Sequence, residues 1–324
     1  MRAWAILEGA QIVAVCDTDE VKARKFGQAY GTAWFTDATA MLDQIAPDFT
    51  DIVTTVPSHR ALVELAATRS KGIICQKPLA LSLTDAEYMV AECEAASIPL
   101  LVHENFRWQA PIRAALAQVH AGSIGQPFFL RLNFRHAFDI YANQPYLAKT
   151  DNLALTDVGP HLFDMARAFM GDVSRVYCQT QQLNPRVSSP DAFLAQLTHA
   201  GGGLSTIECS FFSHFEPDRF PQTLLTIEGD RGSIEVLDGF RLRLHADGTR
   251  TDTSVAPGDL AWMEQPFHVV QESVLAFQRH AIEALNGTVE GQPTGQDNLR
   301  TFALTMAAIQ SAASGESISL LHDD

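Results

Sequence analysis

The sequence predicts an α/β chain. A doubly wound parallel sheet, with its first strand and glycine-rich loop missing, is followed by an α+β domain with a mostly antiparallel open sheet. Three observations predict this. Through the first hundred residues, short apolar strands alternate with helical patterns of roughly 10–15 residues, the pattern of a parallel sheet buried on both faces. From Gln126 onward the strands lengthen, alternate in polarity and are joined by hairpin signals. No G-x-G-x-x-G stands about 20 residues ahead of Asp17, the acid that ends the first visible strand.

The first part reads in order as a short helix near Arg2–Leu7, a strand Gln11–Cys16 and a helix Thr18–Tyr30 stopped by Gly31. A strand Ala33–Phe35, a helix Asp37–Ile45, a strand Asp51–Val56 and a helix Ser58–Ser70 follow. Strand Gly72–Cys75 leads to a helix started by the S-x-x-D signal of Ser82 and Asp85. Strand Leu100–His103 closes this part. The second part opens with a helix near Ile112–Ala121 and strand Pro127–Phe134. Strands Val173–Gln182, Ala192–Leu197 and Leu204–Phe212 come next, then two hairpins turning at G-D-R-G and at Asp247-Gly248. Two helices, Val269–Leu285 and Asp297–Ala313, end the chain. The change of pattern falls in residues 104–125, which divides the chain into domains 1–115 and 116–324.

Length and composition fit two domains. The chain has 324 residues, 46% hydrophobic and 19% charged, so it can build cores. A net charge of −15 argues against nucleic-acid or anionic-membrane partners. No apolar run of about 18 residues predicts a membrane span, and Glu8 interrupts any signal-peptide core. Five scattered cysteines without a C-x-x-C read as reduced thiols, which places the protein in the cytoplasm.

In a doubly wound sheet, ligands bind beyond the carboxyl ends of the strands. Those ends carry Asp17, Pro57-Ser58-His59, Gln76-Lys77 and Glu104-Asn105. Asp17 can accept from adenosine ribose hydroxyls and repel a 2′-phosphate, which favours NAD over NADP; a turn-forming or capping role is the alternative. Lys77 can reach a ligand hydroxyl, or be a surface lysine at a turn. Leu155–Gly171 packs Asp157, Gly159, His161 and Asp164 ahead of a buried helical pattern. Asp157 and His161 are four apart and share a face if one helix carries both. No histidine–carboxylate spacing matches a metal motif, so no metal is expected.

These residues together resemble the Gfo/Idh/MocA family. V-A-V-C-D-T-D at 13–19, T-V-P-S-H at 55–59, C-Q-K-P-L-A at 75–80, T-D-V-G-P-H-L-F-D at 156–164 and T-G-Q-D-N-L-R at 294–300 carry the resemblance in order. The resemblance implies a Rossmann domain, an α+β domain whose open sheet often mediates homo-oligomers (dimer or tetramer), and nicotinamide-dependent hydride transfer at a sugar or polyol carbon. It implies a catalytic set of Lys77, Asp157 and His161: His161 as base, Lys77 on the reacting oxygen, Asp157 as orienter. Imidazole is the side chain suited to proton transfer near neutral pH. Asp17, Pro57, His59, Gln76 and Lys77 become cofactor residues, and Asn105, Arg107, Asp157 and His161 sugar residues. Gln76 departs from the family's usual Glu. The missing glycine loop leaves the pyrophosphate without its helix-terminus cradle, so weak or no NAD binding is expected; a translation start assigned late at an internal Met, a shortened chain or a decayed gene would each account for it, and the undamaged downstream motifs favour the first. The segments V-H-E-N-F-R-W-Q and Y-A-N-Q-P-Y-L resemble members that oxidise pentoses such as apiose. The competing readings are an NAD-dependent glycoside hydrolase of the same fold and a non-catalytic sugar- or cofactor-binding protein.

Overall fold

The computed structural model describes residues 1–320. The chain divides into two compact units: residues 1–104 with 274–299, and residues 105–273 with those from 300 on. The expected division at 115/116 lies inside a helix, Ala110–His120, and the observed one falls at 104/105.

The first unit alternates strands and helices as expected. Its strands are β1 (Ala14–Cys16), β2 (Ala33–Phe35), β3 (Thr50–Ile52), β4 (Ile73–Gln76) and β5 (Leu100–His103). Between them run α1 (Glu20–Tyr30), α2 (Ala38–Ile45), α3 (His59–Ala67) and α4 (Leu83–Ala95). Side-chain caps set three helix starts. Asp19 accepts from Val21 N and Lys22 N, Asp37 from Ala40 N, and Ser82 from Asp85 N. Gly31 ends α1 in the left-handed region at φ 63°, where a side chain would be strained.

All strand pairs of this unit are parallel, but they form two pieces. β1 pairs with β2, and β3-β4-β5 form a separate three-stranded sheet. In the doubly wound fold another strand lies between the positions of β1 and β3; among the described residues none occupies it. The effect on burial is direct. Ile73, Ile74 and Cys75 of β4 are fully buried, whereas every residue of β1 is only half-buried. The helix expected near Arg2–Leu7 is a single 3-10 turn, Trp4–Ile6, without a side-chain cap. So short a segment does not repay helix nucleation alone. Trp4 instead donates Nε1–H to Asp51 Oδ2 at 2.7 Å and packs on Phe49.

The second unit contains α5 (Ala110–His120), β6 (Pro127–Arg135), α6 (Leu153–Asp157), α7 (Gly159–Met170), β7 (Val173–Gln181), β8 (Ala192–His199) and β9 (Leu204–Ser210). It continues through β10 (Leu224–Gly229), β11 (Gly232–Leu237), β12 (Arg241–Ala246) and β13 (Thr249–Ser254). Helices α8 (His268–Leu285) and α9 (Gly295–Ser314) give residues to both units, and the short strand β14 (Ile318–Ser319) follows. The strands form one nine-stranded sheet in the order β13-β12-β11-β10-β6-β9-β8-β7-β14. Its pairs are antiparallel except β6–β9.

Polarity alternation places the core. Leu130, Leu132 and Phe134 of β6 are buried with Ala195 and Leu197 of β8 and Ile207 of β9. They share one cluster with Ile112, Phe163, Met165, Ala166 and Leu304 from the helices. Burial of each such large apolar side chain contributes about 1.5–3 kcal/mol. The alternate positions carry ion pairs such as Arg135–Glu208, at 2.8 Å, beside exposed Leu194 and Leu204.

The hairpin β10–β11 shows why G-D-R-G needs both glycines. A Cβ on Gly229 would collide with the Ile124 carbonyl, and one on Gly232 with the His245 carbonyl. Replacing Gly232 by Ala should therefore destabilise the protein by about 1–3 kcal/mol, read from urea unfolding.

Candidate active site

The first unit carries the expected cofactor residues. Asp17 stands half-buried just past β1, its N–H tied to the Phe35 carbonyl at 3.2 Å. One carboxylate oxygen accepts from Asp19 N at 2.9 Å, so the acid also shapes the turn. The cap of α1 is Asp19, not Asp17. Pro57 is exposed in the 3-10 turn Val56–Ser58. His59 behaves differently from the expectation that it contacts cofactor. It is fully buried, and its ring nitrogens face the Leu79 and Thr54 carbonyls at 3.1 and 3.2 Å. It ties the loop after β4 to the loop after β3 and presents no polar atom outward. Gln76 turns its Oε1 onto Lys77 N at 3.1 Å, and Lys77 is half-buried directly after β4. Gly9, the one glycine ahead of Asp17, has φ 85° and lies against Ile282, as a turn residue would.

The second unit carries Asn105, Arg107, Asp157 and His161. The sequence suggested a single helix through Asp157 and His161. Two helices are found: Asp157 is the last residue of α6, Val158 breaks the run at φ −102°, and α7 begins at Gly159. Pro160 explains the break, because its missing N–H and its ring interrupt a helix but suit a first turn. His161 therefore sits in the first turn of α7. A Cβ on Gly159 would meet only ordinary contacts, so protein packing does not demand that glycine.

His161 is 4% exposed and lies flat on Phe106, with ring centroids 4.1 Å apart and planes 3° apart. Phe106 belongs to the 3-10 turn Asn105–Trp108. Two buried interactions hold this turn. Asn105 Nδ2 donates to Ser273 Oγ at 2.7 Å. Arg107 donates from Nε and Nη2 to the two oxygens of Asp164, at 2.6 and 2.5 Å. Asp164 is wholly buried one turn along from His161, so one ion pair fixes both the plate and the helix that holds the imidazole. At the other end of α7, Arg167 reaches Asp172 and Thr301.

The sequence reading missed His136, which directly follows β6. It is 1% exposed, stacked on Phe211 and edge-on to Phe134 and Phe220. Burial pushes its imidazole down to about 4, against the opposing pull of the Asp218 and Asp157 carboxylates. The signal was available. Leu130, Leu132 and Phe134 alternate inward, and the same period of two brings His136 to that face.

Comparisons with known proteins place the chain in a family. Residues 1–104 match the oxidoreductase-family model for an NAD-binding Rossmann fold, and residues 112–235 match the GFO/IDH/MocA C-terminal domain. D-apiose dehydrogenase of Paraburkholderia graminis is 45% identical over 99% of this chain and 86% of its own length. The D-apiose dehydrogenase of Rhizobium rhizogenes is 42% identical over 99% of this chain and 93% of its own. A crystal structure of an Agrobacterium radiobacter oxidoreductase, in complex with NAD+, L-tartaric acid and magnesium, is 42% identical. It superposes with a TM-score of 0.96, covering 98% of this chain and 94% of that one. Among the described residues, no helix is long and apolar enough to cross a membrane.

Two outcomes test this geometry. Asp164→Asn removes the carboxylate charge from beside a buried guanidinium and should cost about 3–5 kcal/mol in urea unfolding, whereas Arg107→Met with Asp164→Leu should recover most of that loss. The folded imidazole of His136 lies below its unfolded value, so its contribution is present above pH 6.5 and lost as pH falls toward 4. Relative to His136→Phe, the wild type should lose about 3 kcal/mol of unfolding free energy across that window.

Proposed function

The chain belongs to the Gfo/Idh/MocA family of oxidoreductases and is an NAD-dependent sugar dehydrogenase; from that premise we propose that it oxidises a pentose, with apiose as substrate. The observation that supports this most is His161, in the first turn of α7 against Phe106, in a chain 45% identical to a D-apiose dehydrogenase over nearly its whole length.

Asp17 fits the adenosine end of the cofactor. It is a carboxylate at the carboxyl end of a parallel strand, where ribose hydroxyls are met and a 2′-phosphate is repelled. Gln76 and the exposed Pro57 loop complete the proposed cofactor residues. Bound NAD supplies the hydride acceptor. His161 takes the proton of the reacting sugar hydroxyl, and its flat seat on Phe106 fixes the ring plane in which that transfer occurs. Lys77 hydrogen-bonds the same oxygen and stabilises the negative charge that grows on it. Asp157 orients a neighbouring hydroxyl. Asn105 and Arg107, read from the sequence as sugar contacts, serve as positioning residues, since their side chains hold Ser273 and Asp164. The proposed homo-oligomer forms through the open sheet face that carries Leu194 and Leu204.

A panel of aldoses and polyols, apiose included, tests this by NADH formation. A pentose should give the highest kcat/KM, and a panel without NADH would refute the reading. His161→Ala and Lys77→Met should each lower kcat about 10²–10⁴-fold. Asp17→Ala should lose the preference for NAD over NADP.

A further inference from the structure

A buried polar group beside the proposed sugar residues has no role in the chemistry just described. His136 ends the inward face of β6, and an unbroken run of rings links it to the base. His161 lies on Phe106, Phe106 meets Phe134 at 5.7 Å, and Phe134 meets His136 at 5.2 Å. The backbone of His136 is satisfied: its N–H donates to Ser210 O, and its carbonyl accepts from Ser213 N. The side chain is not. Both ring nitrogens are buried and neither has a hydrogen-bond partner in the protein. Tyr141 Oη is in the same condition, and both side chains feel the Asp157 carboxylate.

We propose that His136 is a specificity-determining residue, whose ring nitrogens bind a sugar hydroxyl other than the reacting one, with Tyr141 taking a further hydroxyl. The inference rests on the reading of this chain as a sugar dehydrogenase. A neutral imidazole offers one donor and one acceptor, which is the complement of a hydroxyl. A buried group left without a partner lowers stability, and folded proteins tolerate such groups chiefly where function requires them. The Phe211, Phe134 and Phe220 rings exclude water around His136, so the bond it makes to a sugar is discriminating rather than interchangeable with solvent. Two or more such groups near Asp157 select a polyhydroxylated chain over a simple alcohol or a hydroxy acid.

The test is a cycle of variants against deoxy sugars. His136→Phe should fold with an unfolding temperature at or above wild type, because it removes an unsatisfied group from an aromatic box. Its KM for the best sugar should rise about ten- to a hundred-fold, with kcat changed far less. One mono-deoxy analogue should lose the same factor on the wild type and nothing further on His136→Phe. His136→Asn keeps a donor and an acceptor and should recover part of the affinity; it carries the cycle should the Phe variant not fold. A folded His136 variant with wild-type KM for every sugar, or with equal losses on all deoxy analogues, overturns the inference alone. A wild-type protein that forms NADH from no sugar overturns the proposed function, and this inference with it.

Discussion

One buried ion pair organises the surroundings of His161 in the second unit. Arg107 and Asp164 are nearly or wholly buried and meet through two parallel hydrogen bonds. Such a pair adds little net stability, because desolvation offsets attraction, but breaking it is costly. Its value is geometric. Arg107 lies beside Phe106 in one 3-10 turn, and Asp164 lies one turn beyond His161 in α7, so the pair sets how the phenyl plate meets the imidazole. Arg167 with Asp172 and Thr301 pins the far end of α7. The proposed role of His161 as base requires its ring to be held within narrow limits. Here a helix start, an aromatic plate and a buried guanidinium supply that restraint.

Much of the architecture was legible in the sequence because the signals were local. The helix start at Ser82, the stop at Gly31 and the hairpin at G-D-R-G all act within a few residues, and each is found where its chemistry puts it. The site was less legible because its organisation is not local. Asp157 and His161 looked like one helical face, yet Pro160 divides them into α6 and α7. Arg107 looked like a sugar ligand, yet its partner, Asp164, is fifty-seven residues away. His59 matched a loop motif beside the cofactor, yet its ring is committed to two backbone carbonyls. His136 was overlooked although strand alternation had placed it.

The parallel sheet shows the reverse case, where the sequence pattern has a visible structural counterpart. The sequence carries no glycine-rich turn ahead of Asp17, and the strands fall into the pair β1-β2 and the trio β3-β4-β5. In the trio β5 and the first three residues of β4 are buried, while β1 is half-buried and Val13 and Trp34 face solvent. The carboxyl ends of both pieces still hold Asp17, Pro57, Gln76 and Lys77 on their expected loops. The first unit thus carries the proposed cofactor residues, and the second the proposed sugar residues.

In the proposed reaction a hydride passes from a sugar carbon to nicotinamide while His161 takes the hydroxyl proton. A sugar deuterated at its oxidised carbon tests it most directly, with the NADH analysed by mass spectrometry. The account predicts one deuterium in the nicotinamide ring for each sugar oxidised, and loss of that labelled product in His161→Ala. Sugar consumption with deuterium released to water, or with unlabelled NADH, would contradict it.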